Sequence, residues 1–383
     1  AQALVHSKYG EPNQVLKLNT HHLPGVPPEG SVLLRTLAAP INPADINTVQ
    51  GTYGLLPPMR KSPFGPNVIN DDTKDEPIAI PGNEGAFEVI ATGGSSSGDL
   101  APGDWVIPLY PGFGTWRSHV LLSSGEADLL WKIPFHLREK GVTALQAASV
   151  AINPLTALRM VSDFGTRFDA DTGVEKQGLR EDEWLLQNGA NSSVGRLVIQ
   201  FARLKGFRTL NVIRPRKTPE ETEVLRQELL ELGADIVVTD DILGKPLTKK
   251  LADASNGQGA SLMLDCVGGK AAVSLARSLN EGGEVVTYGG MSRQAMTPGA
   301  GMLIFKDIRF RGFWVSRWGM RFPKKKMQDM EYLLDLMVKE KIETGSFIEV
   351  GWDVADATGR EKLVDQVQKT LSGFKKGKMV FTF

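Results

Sequence analysis

The chain has 383 residues, 41% hydrophobic and 23% charged, with 44 basic against 44 acidic side chains. Zero net charge argues against a dedicated nucleic-acid binder, which would be basic, and no apolar run approaches the ~18 residues that suggest a membrane span. The length suits about two domains of roughly 150 residues each. A single cysteine, Cys266, excludes an internal disulfide framework and a Cys-based structural zinc site, and fits a reducing compartment. His6, His21, His22, His119 and His136 show no metal-ligand spacing, and His21-His22 reads as a solvated turn. The chain starts Ala-Gln-Ala-Leu without a Met, as a processed or a trimmed end would.

Residues 1–150 alternate short strand-like runs with Gly/Pro turns. Val32–Ala38, Gly85–Ile90 and Asp104–Leu109 read as strands, and Pro24-Gly25, Pro81-Gly82, Gly93-Gly94, Pro102-Gly103 and Pro111-Gly112 as turns. The pattern predicts a β-rich domain with little helix. Two stretches look chemical: Asn42-Pro-Ala-Asp-Ile-Asn-Thr-Val-Gln-Gly-Thr-Tyr53 and Pro81-Gly-Asn-Glu-Gly85. Residues 55–80 lie between them and are rich in Pro, Gly, Asn and Asp. A connection that long is a functional lid or a disordered segment, and Asp71, Asp72, Lys74, Asp75 and Glu76 point to a solvated excursion.

From about residue 153 strands alternate with helices. Trp184–Gln187 is strand-like, followed by a helix near Val194–Lys205. Then come Thr209–Ile213, a helix over Pro219–Leu232, Ile236–Val238, Leu262–Val267, a helix from Lys270, Glu284–Tyr288 and Ile308–Val315. Such alternation implies a parallel, doubly wound sheet. Ligands then sit at the carboxyl ends of the strands, here Asn188–Val194, Arg214–Arg216, Val267–Gly269, Tyr288–Met291 and Phe313–Val315. The turn after Trp184–Gln187 is made of small residues, and N–H groups at a helix start can face phosphates. Ala190, Ser192 and Gly195 occupy the three glycine positions of the usual G-x-G-x-x-G motif. An acidic residue after the second strand would bind a ribose hydroxyl; Arg214-Pro215-Arg216 stands there instead and can pair with a phosphate. This reads as an NADPH preference, the alternative being two arginines on a solvated strand end. Gly289 and Gly290 would let a cofactor lie against the backbone, or make a simple turn.

In residues 318–383 a helix over Lys325–Glu340 carries Met327, Met330, Leu333, Leu334 and Met337 at core-packing spacing. A second helix near Lys362–Leu371 and a terminal strand Gly377–Phe383 follow. Sixty-odd residues are few for a domain, so they are expected to dock on the β-rich part. Arg321 with Lys324–Lys326 makes a basic cluster that reads as a solvated helix start.

This arrangement resembles the medium-chain dehydrogenase/reductase superfamily. The resemblance implies a GroES-like catalytic domain (residues 1–152 and 318–383) with an inserted Rossmann domain (residues 153–317). Zinc-dependent members carry a Cys near the position of Asn42 and Gly-His-Glu where this chain has Gly82-Asn-Glu84. Both ligands are missing, which points to the zinc-independent branch. Asn42-Pro-Ala-Asp-Ile-Asn, Gln50-Gly-Thr-Tyr53, Gly82-Asn-Glu-Gly85, Gly114-Thr-Trp-Arg117, Asn153-Pro-Leu-Thr-Ala157, Cys266-Val-Gly-Gly-Lys270, Tyr288-Gly-Gly-Met-Ser292 and Gly312-Phe-Trp-Val315 resemble mitochondrial 2-enoyl thioester reductases. The resemblance implies Tyr53 as the catalytic tyrosine. It implies NADPH contacts from Asn153, Asn191, Ser192, Ser193, Val194, Arg214, Arg216, Tyr288, Gly289, Gly290, Met291, Phe313, Trp314, Val315 and Lys378. Two departures stand out: the Ser192-Ser193 pair, and Pro215 between the arginines where an Asp is common. The implied reaction is NADPH-dependent reduction of trans-2-enoyl thioesters of CoA or acyl carrier protein in fatty acid synthesis. Hydride goes to C3, and Tyr53 supplies the proton to C2. A homodimer in the mitochondrial matrix is implied as well. The competing expectations are an NADPH:quinone reductase of the same superfamily and a non-catalytic NADPH-binding regulatory or structural protein.

Overall fold

The computed structural model describes residues 1–383 apart from 62, 66, 67, 69–75, 95–98, 169–174, 353–356 and 371–376. The chain divides into two compact units. One comprises Ala1–Ile152, Gly319–Lys341 and Gly345–Phe383, the other Asn153–Trp318 and Ile342–Thr344.

The first unit is built on a seven-stranded sheet. Its order runs Phe347–Gly351, Lys378–Thr382, Val32–Pro40, Ala86–Thr92, Trp105–Pro108, Leu130–Lys132, and His119–Leu122 also pairs with Val32–Pro40. Every pairing is antiparallel except that of Phe347–Gly351 with Lys378–Thr382. Along Val32–Pro40 alternate side chains turn inward, so Val32 and Leu34 join Phe87, Val89, Val106 and Val120 in one core cluster. Beyond them Ala39 and Ile41 meet Ile46, Val49, Trp116, Met379 and Phe381 in a second cluster. Trp116 is fully buried there and donates its indole N–H to the Pro40 carbonyl at 3.3 Å. A buried aromatic of that size contributes about 2–3 kcal/mol, so the second cluster firmly seats the segment bearing Ile46 and Val49.

That segment is a helix, Pro43–Val49, where a β-rich reading left none. Pro43 opens its first turn, and the Asp45 carboxylate reaches back to the Asn42 N–H at 2.8 Å. In the long connection, Asp71, Asp72, Lys74 and Asp75 lie outside the described residues. Its described parts are tied in: Arg60 bridges to Ile78, Ala79 bridges to His6, and Phe64 is buried. Phe64 also corrects the reading of His21. Its ring stacks on His21 at 4.0 Å and buries it, while His22 stays exposed.

The second unit is a six-stranded, fully parallel sheet. Its order is Ile236–Thr239, Arg208–Ile213, Trp184–Gln187, Ala260–Asp265, Leu279–Thr287, Arg309–Gly312. This is the doubly wound order, and its direction reverses beside Trp184–Gln187. All four residues of that strand are buried, as a strand covered on both faces must be. Apolar stripes from the helices fill the core: Leu197, Val198 and Phe201 of Ser193–Leu204, Leu225 and Leu229 of Pro219–Glu231, Leu247 and Leu251 of Lys245–Ala254. The last helix hides in the sequence because Gly244 and Pro246 at its start read as a loop. The strand expected over Ile308–Val315 stops at Gly312, and Val315–Arg321 is helical.

Candidate active site

In the second unit a five-residue turn separates Gln187 from the helix Ser193–Leu204. Ser192 caps it, its hydroxyl accepting the Gly195 N–H at 3.1 Å and its carbonyl the Arg196 N–H at 2.9 Å. That leaves the N–H groups of Ser193 and Val194 to meet an anion, aided by the positive end of a twelve-residue helix. Two glycines are required by space. A Cβ on Gly189, whose φ is 59°, would lie 2.4 Å from the Cys266 sulfur, and one on Gly195 would lie 2.7 Å from the Ala190 backbone. Ala190 and Ser192, at the other two positions of the motif, meet no such limit.

The neighbouring strand ends are laced together behind the turn. Asp265 is fully buried and accepts from the Asn188 amide at 2.6 Å, from Thr287 Oγ1 at 3.1 Å, and from the N–H groups of Val267 and Gly268 at 3.0 and 2.9 Å. Asn188 Oδ1 in turn accepts the Cys266 N–H at 2.9 Å. Three adjacent strands thus end at one hydrogen-bonded knot. Burial pushes the Cys266 thiol up to about 11, which makes it a packed group rather than a nucleophile. The Tyr288 hydroxyl is buried beside Cys266 and Ser192 and makes no well-formed hydrogen bond. Burial holds its proton well above the usual phenol range, so it is a donor in need of an acceptor.

The remaining expected cofactor residues of this unit fall as follows. Arg214 is exposed and Arg216 half-buried at the end of Arg208–Ile213. The Arg216 N–H is fixed on Thr222 Oγ1 at 2.8 Å, which sets the loop's path. Asn191 and Gly289 are half-buried, whereas Gly290 and Met291 are exposed. Phe313 is packed edge-on against Phe164 at 5.7 Å, with Trp314 half-buried under the Arg317 guanidinium at 5.5 Å. Val315 starts the next helix, and Asn153 starts the helix Asn153–Asp163.

Tyr53 and Lys378 belong to the first unit. Tyr53 is half-buried on the turn that follows the helix Pro43–Val49. Below the start of that helix lies a buried charged cluster. Glu84 Oε1 accepts from the Asn42 amide at 2.9 Å and from the Lys378 ammonium at 2.6 Å, and Glu84 Oε2 has no partner. Asp45 Oδ1 accepts from the Asn83 N–H at 3.0 Å and the Asn83 amide at 2.6 Å. Burial raises the Asp45 carboxyl to about 6 against the pull of the Asn42 and Asn83 hydrogen bonds. Lys326 is buried too and donates to the Leu109 carbonyl at 2.5 Å. Burial lowers its ammonium to about 8, with Glu84 acting in the opposite direction. This corrects the reading of Lys324–Lys326 as a solvated run: only Lys324 and Lys325 face outward, and Lys325 is paired with Asp329.

A family model described as zinc-binding dehydrogenase matches residues 193–338. The mitochondrial enoyl-acyl-carrier-protein reductase of Yarrowia lipolytica is 38% identical over 340 residues, covering 89% of this chain and 80% of that protein. The chain belongs to the mitochondrial enoyl thioester reductase family. Among solved structures, the mitochondrial 2-enoyl thioester reductase heterodimer of Candida tropicalis matches with a TM-score of 0.83 at 32% identity, covering 100% of this chain and 99% of that one. A complex of the Etr1p protein with NADP and crotonyl-CoA matches with a TM-score of 0.82 at 32% identity and the same coverage. Within the family the zinc of the matched model finds no fit here. Among the described residues no group of three or more His, Cys, Asp or Glu could hold a metal ion. The amides of Asn42 and Asn83 are committed to Glu84 and Asp45.

Sequence reasoning put Asn188 at a strand end and Asp45 and Glu84 in stretches that look chemical, but gave none of them a role, and it missed Asp265 and the burial of Lys326. The available signal was polarity at the end of an apolar run, in Leu185-Leu-Gln-Asn188 and Leu262-Met-Leu-Asp265.

Proposed function

We propose that the protein is an NADPH-dependent 2-enoyl thioester reductase, reducing trans-2-enoyl groups on CoA or acyl carrier protein to saturated acyl thioesters. The observation that carries the reading is the anion cradle of the second unit, with its capped helix start, its two space-limited glycines and its unpartnered buried Tyr288 hydroxyl. Arg214 and Arg216 stand at the next strand end, where an acid would favour NADH. The relative solved with NADP and crotonyl-CoA supports the same cofactor and substrate class.

The N–H groups of Ser193 and Val194 and the Tyr288 hydroxyl receive the diphosphate. Arg214 and Arg216 pair with the 2′-phosphate. Asn153, Asn191, Ser192, Gly289, Gly290, Met291, Phe313, Trp314, Val315 and Lys378 complete the set of residues assigned to the cofactor. When bound, NADPH supplies hydride to C3 of the enoyl thioester. The thioester oxygen then gathers negative charge, and a donor must stabilise it while an acid protonates C2. Tyr53 fills both needs, since a phenol O–H can donate a hydrogen bond and deliver a proton. The enzyme acts in fatty acid synthesis in the mitochondrial matrix as a homodimer; its curated relatives are named as mitochondrial.

The test is Tyr53→Phe. Turnover of crotonyl-CoA should fall by about 10²–10⁴-fold, the usual reach of a positioned acid. NADPH affinity, read by fluorescence titration, should hold. Parental turnover in that variant, or a parent enzyme that reduces a quinone and no enoyl thioester, would overturn the proposal.

A further inference from the structure

Five segments of the first unit meet at the buried charged cluster. The helix Pro43–Val49 and its cap bring Asp45 and Asn42, and the turn before Ala86–Thr92 brings Asn83 and Glu84. The strand Lys378–Thr382 brings Lys378, the helix Pro323–Val338 brings Lys326, and the loop after Trp105–Pro108 brings the Leu109 carbonyl and the Gly112 N–H. Two carboxylates and two ammonium groups balance in charge, yet burying them is costly even when paired. The unpartnered Glu84 Oε2 adds a further desolvation penalty. Apolar side chains would join these segments more favourably. A network kept in spite of its cost is suited to fixing position.

What it fixes is legible in the hydrogen bonds. Asp45 Oδ2 holds the Asn42 N–H at 2.8 Å and Asp45 Oδ1 holds both donors of Asn83. Asn83 Oδ1 takes the Gly112 N–H at 2.9 Å. One carboxylate therefore straps the start of the helix to the Asn83 loop, and Asn83 carries the strap on to Gly112. The other end of the helix is joined to the Tyr53 turn. The Thr52 N–H bonds the Asn47 carbonyl at 2.9 Å, and Gly51, at φ 75°, packs against Tyr9. The Gly10 N–H bonds the Val49 carbonyl at 3.1 Å. We propose that Asp45 is a positioning residue for Tyr53, acting through the helix Pro43–Val49; this rests on the reading of Tyr53 as the proton donor.

The lever is short and stiff. Seven residues rise about 10 Å, so a tilt of about 10° at the Asp45 end moves the Tyr53 end by about 2 Å. A displacement of about 1 Å can cost 10²-fold in rate. The strap needs an acceptor-only group, because three donors converge on the two oxygens. The charges facing Asp45 are the Glu84 carboxylate, which favours its protonation, and the Lys378 ammonium, which opposes it.

A double-mutant cycle tests this. Asp45→Asn replaces one acceptor oxygen by an amide donor. We expect kcat with crotonyl-CoA to fall about 10–100-fold. NADPH affinity and the KM for crotonyl-CoA should stay within about two-fold of the parent. Added to Tyr53→Phe, Asp45→Asn should change kcat by less than about two-fold, since the helix then has no acid to place. Asn83→Ala cuts the same strap from a half-buried loop and should give the same loss confined to kcat; it decides the matter where Asp45→Asn does not fold. Losses that multiply in the double variant, or NADPH affinity falling along with kcat, would overturn the inference while leaving the Tyr53 assignment standing. Parental turnover in Tyr53→Phe alone removes that assignment, and this inference with it.

Discussion

In the proposed reading, cofactor choice in the nucleotide-binding unit rests on two side chains. Arg214 is exposed and Arg216 half-buried, and Thr222 fixes the backbone that carries them. A charge-assisted hydrogen bond contributes about 1.5–3 kcal/mol when shielded, and exposure lowers that figure. Replacing both by Ala should shrink the ratio of kcat/KM with NADPH to that with NADH by about 10–100-fold. An unchanged ratio in the double variant would put phosphate recognition elsewhere. The strand-end position of the pair was legible in the sequence, because it closes the apolar run ending at Ile213. The roles of Asp265, Asp45 and Glu84 were not. Their partners Asn188, Asn83 and Lys378 are 77, 38 and 294 positions away, and a single sequence carries no mark of such pairings. Lys378 shows the same limit. Its side chain is 7% exposed and bonded to Glu84, a neighbour that only the folded sheet of the first unit supplies.

The strand–turn–helix at Trp184–Leu204 was recognisable as an element although its glycine pattern is thin. The reason is the contrast between an apolar run, a turn of small residues and an amphipathic helix. The structure shows why one glycine of the motif survives in place. At Gly195 the helix comes against the Ala190 backbone, and a Cβ there would sit 2.7 Å from it. Backbone cannot rotate away as a side chain can. Gly195→Ala should therefore lift the helix start off the turn, costing about 1–3 kcal/mol as overpacking does, and should weaken NADPH binding by spreading the Ser193 and Val194 N–H groups. Thermal unfolding and NADPH titration check this together, and a variant that loses neither stability nor affinity would show that the contact gives way freely. Two of the helices that escaped notice have a proline in the first turn. Pro43–Val49 is short and begins with Asn-Pro, which reads equally as a turn. Lys245–Ala254 is capped by Gly244, whose φ of 98° serves a sharp entry, and has Pro246 in its first turn.

At the scale of the whole chain, the alternation of strands and helices announced the parallel sheet, because its period differs so plainly from that of the Gly/Pro-punctuated start. Less visible was how much of the start depends on burying polar groups. His6, His21 and His119, three of its five histidines, have pKa values lowered chiefly by burial. His21 falls from 6.5 to about 3, with the Ala1 ammonium, Arg117 and His119 adding to the effect of burial. A histidine with a depressed pKa is neutral in the fold and protonates on unfolding. Its contribution is present above pH 6.5 and is lost as pH falls toward about 3. Each such group can tilt stability by about 1.4 kcal/mol per pH unit across that window. Asp45 works in the opposite sense. Its pKa is raised from 3.8 to about 6, so the fold takes up a proton before the unfolded chain does and gains stability as pH drops through that range. The net slope mixes both signs, and a variant separates them. His21 Nδ1 has no hydrogen-bond partner and the ring stacks on Phe64, so His21→Phe keeps the packing and removes the titration. Urea midpoints measured from pH 7 to 4 should fall less steeply in His21→Phe than in the parent. Parallel slopes would mean that His21 takes up its proton in the folded protein over the same range as in the unfolded chain, and that the acid sensitivity of the first unit is set by other groups.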